Sequence, residues 1–414
     1  MIDDAETAED HLFQDAPLLG EFELCDRCVG RFYSRLFEGH NNEEAGRWIA
    51  KNYSVLTSSP EFCSLCRNVF NRLHELARLP LAALQEWEYS TFWVGSRLEF
   101  GVLEREREIL SSGNFAYSES IKVEINRELG KELREVTNRE AKMENADMLV
   151  IFDIPFRVYE LLPSPLFIYG RYIKNARGIP QTKWPCRKCH GKGCDYCGYR
   201  GRMYQTSVEE IICSPLMTIT GAEAHSLHGM GREDIDAVMK GRGRPFIVEL
   251  SKPRRRSLDM DILQKEINSA SQGQVEVSGL RYSSKEEVRS LKAYRPSKRY
   301  RAIFHMEKEL EEKEIAALFG GIRSFEIKQQ TPVRVLHRRA DLERRRHIYD
   351  CALISINGSC ATIELEAEAG TYIKEFITGD EGRTVPSVSS LLGTACRVES
   401  LDVLDIDTGD DSRW

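Results

Sequence analysis

No stretch of this 414-residue sequence approaches the ~18 uninterrupted apolar residues of a helical membrane span, so that class is excluded. No Walker-type phosphate loop, no His-Glu-x-x-His and no Gly-x-Ser-x-Gly occurs. Their absence argues against P-loop nucleotide hydrolysis, a helix-borne zinc protease site and an α/β-hydrolase nucleophile. No internal repeat is detectable, which argues against a solenoid. The opening Met-Ile-Asp-Asp has neither a basic n-region nor an apolar h-region, so the expected location is cytoplasmic. What is present is ordinary for a globular protein: 41% hydrophobic and 30% charged residues, enough for two or three domains that each bury a core.

A formal net charge of -7 seems to point away from nucleic acid, but its distribution matters more. Residues 1–24 carry eight acidic side chains and no Lys or Arg, and residues 402–414 carry five acids and one Arg. The body between them is therefore net +5. Within it lie three basic runs: Lys252-Pro-Arg-Arg-Arg256; Arg295, Lys298, Arg299 and Arg301 around Tyr294 and Tyr300; and residues 331–347, with six Arg against two acids. A solvated face usually mixes both signs. Runs of one sign with aromatics nearby suit phosphate neutralisation and base stacking, and so an RNA partner.

Eight of the twelve cysteines form four Cys-x-x-Cys pairs: Cys25/Cys28, Cys63/Cys66, Cys186/Cys189 and Cys194/Cys197. In an intracellular chain this spacing reads as metal ligation before disulfides. A redox reading would need a thioredoxin-like βαβ context, and none surrounds these pairs. The first two pairs, 34 residues apart, can enclose one Zn²⁺. The last two lie within twelve residues, among glycines 191, 193, 198 and 201 that let the backbone reverse between ligands. Cross-pairing between the groups and ligation by His190 remain open from spacing alone. Four thiolates leave no open coordination position, so the zinc, one or two ions, is expected to be structural.

Residues 1–24 read as a mobile acidic arm and 25–66 as a zinc unit broken by a helix. From 67 to 180 the pattern is α/β or α+β. Ile121, Ile125, Leu129, Leu133 and Val136 mark one face of a helix, and three strands follow from Met148, Phe156 and Leu166. A Cys-rich linker at 181–205 precedes a mixed α/β region over 206–414. The most unusual local sequence is Gly231-Arg-Glu-Asp-Ile-Asp236. Arg232, if it pairs with Asp234, would keep that carboxylate ionised, as a nucleophile or proton acceptor requires. Read without further context, a surface turn with a salt bridge is the simpler account. Asp236 is a rival, because on a strand the two carboxylates would share a face, whereas on a helix they would point apart.

These residues carry a resemblance. Gly231-Arg-Glu-Asp234 resembles the Gly-Arg-Thr-Asp type of loop of pseudouridine synthases. The resemblance is closer still to one branch, the archaeal and eukaryotic tRNA pseudouridine-54/55 synthases (the Pus-ten type). Tyr169-Gly-Arg-Tyr172, Ile179-Pro-Gln-Thr-Lys-Trp-Pro-Cys186, Ser207-Val-Glu-Glu-Ile-Ile212, Gly243-Arg-Pro-Phe246, Thr331-Pro-Val-Arg-Val335, Gly370-Thr-Tyr-Ile-Lys374 and Gly382-Arg-Thr-Val-Pro386 carry it, in order, through most of the chain. The resemblance implies an α+β multidomain protein: a zinc-bearing, THUMP-related RNA-binding part through residue 180, and a pseudouridine synthase domain over 206–414 with a mixed, mainly antiparallel sheet.

It also implies site roles. Asp234 would be the catalytic aspartate, Tyr300 the tyrosine packed on the target base, and Lys374 the basic partner of the aspartate. Arg232 and Ile373 would contact substrate, and Leu401 would close the pocket. A basic residue is expected where Val238 stands, so the chain departs from the pattern there. The substrate implied is a T-arm uridine of tRNA, at position 54, 55 or both. No organic cofactor or membrane is expected, and the protein is expected to be a monomer. A non-catalytic zinc-containing RNA-binding or assembly protein is the alternative. A zinc-dependent chaperone-like module would repeat its Cys-x-x-Cys-x-Gly-x-Gly motif, which occurs here once, at 186–193.

Overall fold

The computed structural model describes residues 15–37, 39–320 and 323–409. The chain divides into two compact units: Met1–Pro165 with Lys252–Arg256, and Leu166–Ser251 with Ser257–Trp414.

In the first unit the expected amphipathic helix forms as Ile121–Thr137 and buries Ile121, Ile125, Leu129 and Leu133. The Ser120 hydroxyl accepts from the Val123 amide at 3.3 Å to start it. Asn138, at φ 53°, ends it in the left-handed conformation that Asn tolerates. The helix packs on a four-stranded sheet built from β1 (Thr91–Arg97), β2 (Glu140–Ala141), β3 (Met148–Asp153) and β4 (Val158–Pro163). The strand order is β2-β1-β3-β4. β1 runs parallel to β2 and β3, and β3 pairs antiparallel with β4. Phe92 and Val94 on β1 alternate inward as period two requires. The helices Asp26–Arg31 and Asn42–Tyr53 meet at glycines: a Cβ on Gly46 would fall 1.7 Å from the Asp26 carbonyl oxygen, so no larger residue fits there.

Two expectations change in this unit. Of the acidic arm at 1–24, residues 1–14 lie outside the described residues. The rest is packed rather than mobile, because Ala16, Leu19 and Leu24 are spaced to enter the core, each at 0% exposure. The basic run Lys252–Arg256 belongs to this unit, where Arg254 lies 3.8 Å over the Trp87 ring and 3.0 Å from Glu86. Arg256 pairs with Asp147 at 3.1 Å. Acids distant in sequence thus meet two arginines of a run that reads locally as one sign.

The second unit is built on a long sheet of β5 (Leu166–Lys174), β6 (Ala224–Gly229), β7 (Met239–Ser251), β8 (Val275–Ser283), β9 (Lys298–Met306), β10 (Arg323–Gln330), β11 (Glu343–Asn357), β12 (Cys360–Ala367), β13 (Thr384–Val385) and β14 (Cys396–Ile406). Its order is β13-β10-β11-β12-β9-β14-β7-β5-β8, with β6 paired to β7. Every pairing is antiparallel except β14 with β7, which touch in parallel at Val403 and Met239. On β12, Ala361, Ile363, Leu365 and Ala367 alternate into the core, as the sequence predicts. β5, which the sequence pattern groups with the preceding strands, lies instead between β7 and β8. Most of its residues are buried, so the apolar run makes a strand without naming its partners. Among the described residues, no helix is long and apolar enough to cross a membrane.

Candidate active site

The segment between β6 and β7 carries Gly231-Arg-Glu-Asp-Ile-Asp236 as a loop, neither helix nor strand. Asp234 and Asp236 therefore both line one cleft of about 470 Å³ in the second unit. Arg232, Tyr300, Ile373, Lys374 and Leu401 line the same cleft, so all six proposed catalytic and substrate-contacting residues are brought together.

Beneath the loop lies a buried polar platform. Glu233 turns inward and pairs with Arg244 from β7, Nε to Oε2 at 2.9 Å, with both side chains at 0% exposure. The Tyr172 hydroxyl lies 3.0 and 2.9 Å from the Glu233 carboxylate oxygens. Gln181 donates to the Tyr172 oxygen at 2.9 Å and to the Gly231 carbonyl at 3.0 Å. Lys174, fully buried, donates to the carbonyls of Asp234 and Ile235 at 3.2 and 3.0 Å. Gly231, at φ 77°, lets the chain turn at the start of this loop. Glu233 and Arg244 tolerate burial as an ion pair, and the Lys174 ammonium through the two carbonyls that accept from it.

Above the platform, Asp234 Oδ2 lies 3.4 Å from Lys374 Nζ and its Oδ1 lies 3.6 Å from Arg334 Nη1. Arg334 is itself aimed by Glu375, whose Oε1 accepts from its Nε at 2.6 Å. Lys374 also contacts Asp236, at 2.8 Å. The guanidinium that meets Asp234 is thus Arg334. Arg232 lies over the Trp184 ring, 5.9 Å from its centroid. Burial, followed by the nearby Asp234 charge, pushes the Tyr300 phenol up to about 12 although Arg244 pulls it down, so it stays protonated at neutral pH. Burial, with Arg244 and Arg295 adding repulsion, lowers Lys298 to about 8. Val238 is buried, and its amide donates to Asp402 at 3.2 Å. A position packed this way holds an apolar side chain rather than a basic one.

Sequence reasoning overlooked Arg334, Glu233, Arg244, Tyr172, Gln181 and Lys174. Five of them stand inside the quoted motifs, in Tyr169–Tyr172, Ile179–Cys186, Gly231–Asp234, Gly243–Phe246 and Thr331–Val335. Their positions are visible, but their contacts run across 9 to 100 residues of chain.

The cysteines form two separate tetrads: Cys25, Cys28, Cys63 and Cys66 in the first unit, and Cys186, Cys189, Cys194 and Cys197 in the second. Within each, all four Sγ atoms lie within 4.8 Å of one another, which rules out cross-pairing between the groups. The separations Cys25–Cys66 at 3.7 Å, and Cys186–Cys194 and Cys189–Cys197 at 3.9 Å, match the ~3.8 Å edge of a tetrahedron with 2.3 Å metal–sulfur arms. Amides of Gly193, Cys194 and Gly201 donate to Cys189 and Cys197 sulfurs at 3.1, 3.3 and 3.2 Å, as thiolate ligands favour. Both tetrads therefore fit a structural metal. His190 is exposed and belongs to neither.

Residues 167–407 match the family model described as "Pus10, C-terminal", and residues 76–153 match "Pus10 THUMP domain, archaeal". The fold that carries the cleft is that of a pseudouridine synthase, and the first unit contains a THUMP domain. Proteins named tRNA pseudouridine synthase Pus10 resemble the chain along most of its length. The one from Methanothermobacter marburgensis is 41% identical, over 92% of this chain and 95% of that protein. The one from Methanothrix thermoacetophila is 38% identical, over 92% and 91%, and the one from Archaeoglobus fulgidus 42%, over 84% and 95%. The chain belongs to the Pus10 family.

Proposed function

We propose that this chain isomerises uridine to pseudouridine in the T-arm of tRNA, at position 54, 55 or both, with Asp234 as the catalytic group. The observation that carries the assignment to Asp234 is its place in the cleft: one carboxylate between Lys374 and Arg334 at 3.4 and 3.6 Å, above a buried platform. The reaction breaks the C1′–N1 glycosidic bond, turns the uracil and forms C1′–C5; C5 then loses its proton and N1 gains one. No atom is gained or lost overall, so the chemistry calls for a positioned carboxylate and a pocket for the loosened base.

The target uridine leaves its stack to enter the cleft. Tyr300 packs on the ring as a neutral phenol, Ile373 supports it, and Leu401 closes the pocket. Arg232, on the rim with Trp184, meets the RNA backbone. Asp234 starts the cleavage, by attack on the ribose or base or by withdrawing a ribose proton, while Lys374 and Arg334 hold its two oxygens in place. The Cys25–Cys66 and Cys186–Cys197 tetrads hold Zn²⁺ as structural ions. Residues 1–180 and 206–414 serve as RNA-binding and catalytic parts, joined by the Cys-rich linker at 181–205, and the protein acts in the cytoplasm as a monomer.

The test incubates the protein with an unmodified tRNA transcript and maps pseudouridine by carbodiimide labelling and primer extension. Product at position 54 or 55 is expected with wild type and none with Asp234→Ala, while tRNA binding is retained. An inactive wild type at enzyme excess that still binds RNA would favour the non-catalytic assembly protein.

A further inference from the structure

The cysteine module of the second unit has an outer surface that metal ligation does not explain. Residues 183–202 carry six Lys and Arg against a single acid, Asp195, in a chain that is net -7. Arg187, Lys188 and Lys192 are exposed. Two tyrosines stand out beside them, Tyr196 at 59% exposure and Tyr199 at 73%. The Tyr199 hydroxyl is tied to Asp195, which orients the ring and leaves it open to solvent. Here the two rings stand among cations on a loop that carries the four thiols, an arrangement that offers π-faces and positive charge together.

The base of the module ties it to the cleft. Met203 donates to the Trp184 carbonyl at 3.0 Å and Cys186 to the Gly201 carbonyl at 2.8 Å, a short two-stranded stem. Trp184, on that stem, forms part of the cleft wall, edge-on to Tyr204 at 5.6 Å and beneath Arg232. RNA whose target base sits in the cleft therefore passes Trp184, on the stem from which the module extends.

We propose that residues 183–203 form an RNA-binding lip, in which Tyr196 and Tyr199 stack on unpaired bases next to the target uridine and Arg187, Lys188 and Lys192 neutralise the adjoining phosphates. The inference rests on the reading of the chain as a tRNA-modifying enzyme. Stacking suits this site because a π-face binds any base, so the lip adds affinity without fixing sequence.

The experiment compares wild type with Tyr196→Ala/Tyr199→Ala in the full-length, metal-loaded protein, on unmodified tRNA transcript. Kd by filter binding and KM for pseudouridine formation are both expected to rise about fivefold or more, with kcat within a factor of about two. Tyr196→Phe/Tyr199→Phe keeps the rings and should restore both. Arg187→Gln/Lys188→Gln/Lys192→Gln should flatten the plot of log affinity against log salt by about 2. Unchanged metal content and melting temperature show that the module is intact; if the double alanine variant loses metal, Tyr196→Ala and the glutamine variant carry the comparison. Unaltered Kd, KM and salt slope in these variants overturn the proposal. Weakened tRNA binding in them, with no pseudouridine formed even by wild type, upholds the lip and overturns the enzymatic reading instead.

Discussion

Arg244 and Glu233 form an ion pair with neither side chain exposed, and Glu233 is the residue immediately before Asp234. The pair fixes the loop from below, so the carboxylate above it is aimed by the backbone rather than by its own rotamer alone. Replacing Glu233 with Ala strands a buried guanidinium, whose desolvation then goes uncompensated. We expect Glu233→Ala to destabilise the second unit by about 3–5 kcal/mol in denaturant titration, and the paired change Glu233→Leu/Arg244→Met to cost less. A double-mutant cycle reads the coupling; additive losses would contradict it.

The two aspartates of the loop can be told apart. Asp234→Asn keeps the size and removes the charge, and product formation should fall by at least about 10²-fold. Asp236→Asn loses an exposed contact to Lys374 and should keep activity within about tenfold. Single-turnover rates on tRNA measure both, and the reverse ranking would assign the chemistry to Asp236.

Arg334 bridges Asp234 and Glu375. Arg334→Ala should lower kcat by about 10- to 100-fold, consistent with roughly 1.5–3 kcal/mol for a hydrogen bond to a charged group. Arg334→Lys supplies charge without the two-way fork and should recover only part of the rate.

Lys298 titrates at about 8 against an ordinary 10.5, because burial, Arg244 and Arg295 disfavour its charge. Below about pH 8 it is charged in both folded and unfolded chains, and the full burial cost of roughly 3 kcal/mol weighs on the fold. Between about 8 and 10.5 the folded chain releases the proton first, and the cost fades. Lys298→Met should therefore stabilise the protein near pH 7, with an advantage over wild type that shrinks as pH approaches 10.5. Chemical denaturation of both proteins at pH 7 and pH 10 gives the comparison, and a pH-independent difference would refute it.

Elemental analysis should find about two Zn per chain. Cys197→Ser should remove one equivalent and Cys66→Ser the other. All four cysteines of the first tetrad are buried, whereas Cys189 and Cys194 of the second are partly exposed, so a chelator should strip the metal in two phases, the second tetrad first. Release in one phase, or a metal-free folded protein, would count against this.

Much is legible in the sequence alone. The Ile121–Leu133 periodicity yields the expected helix because side-chain spacing alone defines an apolar face. The Asp234 loop, Tyr300 and Lys374 were identified through motif order and do share one cleft. Arg232 was expected to meet Asp234 because it is two residues away, but a loop frees neighbours to diverge, and it turned to Trp184. The Lys252–Arg256 run suggested a phosphate surface because a local window cannot show the acids, Glu86 and Asp147, that meet two of its arginines.

The sequence by itself determined the four Cys-x-x-Cys pairs and the loop that bears the carboxylate, while their grouping into two tetrads came from the fold. Metal spacing and turn chemistry are local properties, set by a few bonds between ligands or a glycine at positive φ. Only the tertiary structure decided that Arg334 would face Asp234 across 100 residues, that Glu233 would point down and Asp234 up, and that β5 would join the second sheet. Those outcomes depend on which distant surfaces pack together. Charge and apolar area drive that choice without encoding the partner in any short stretch of chain.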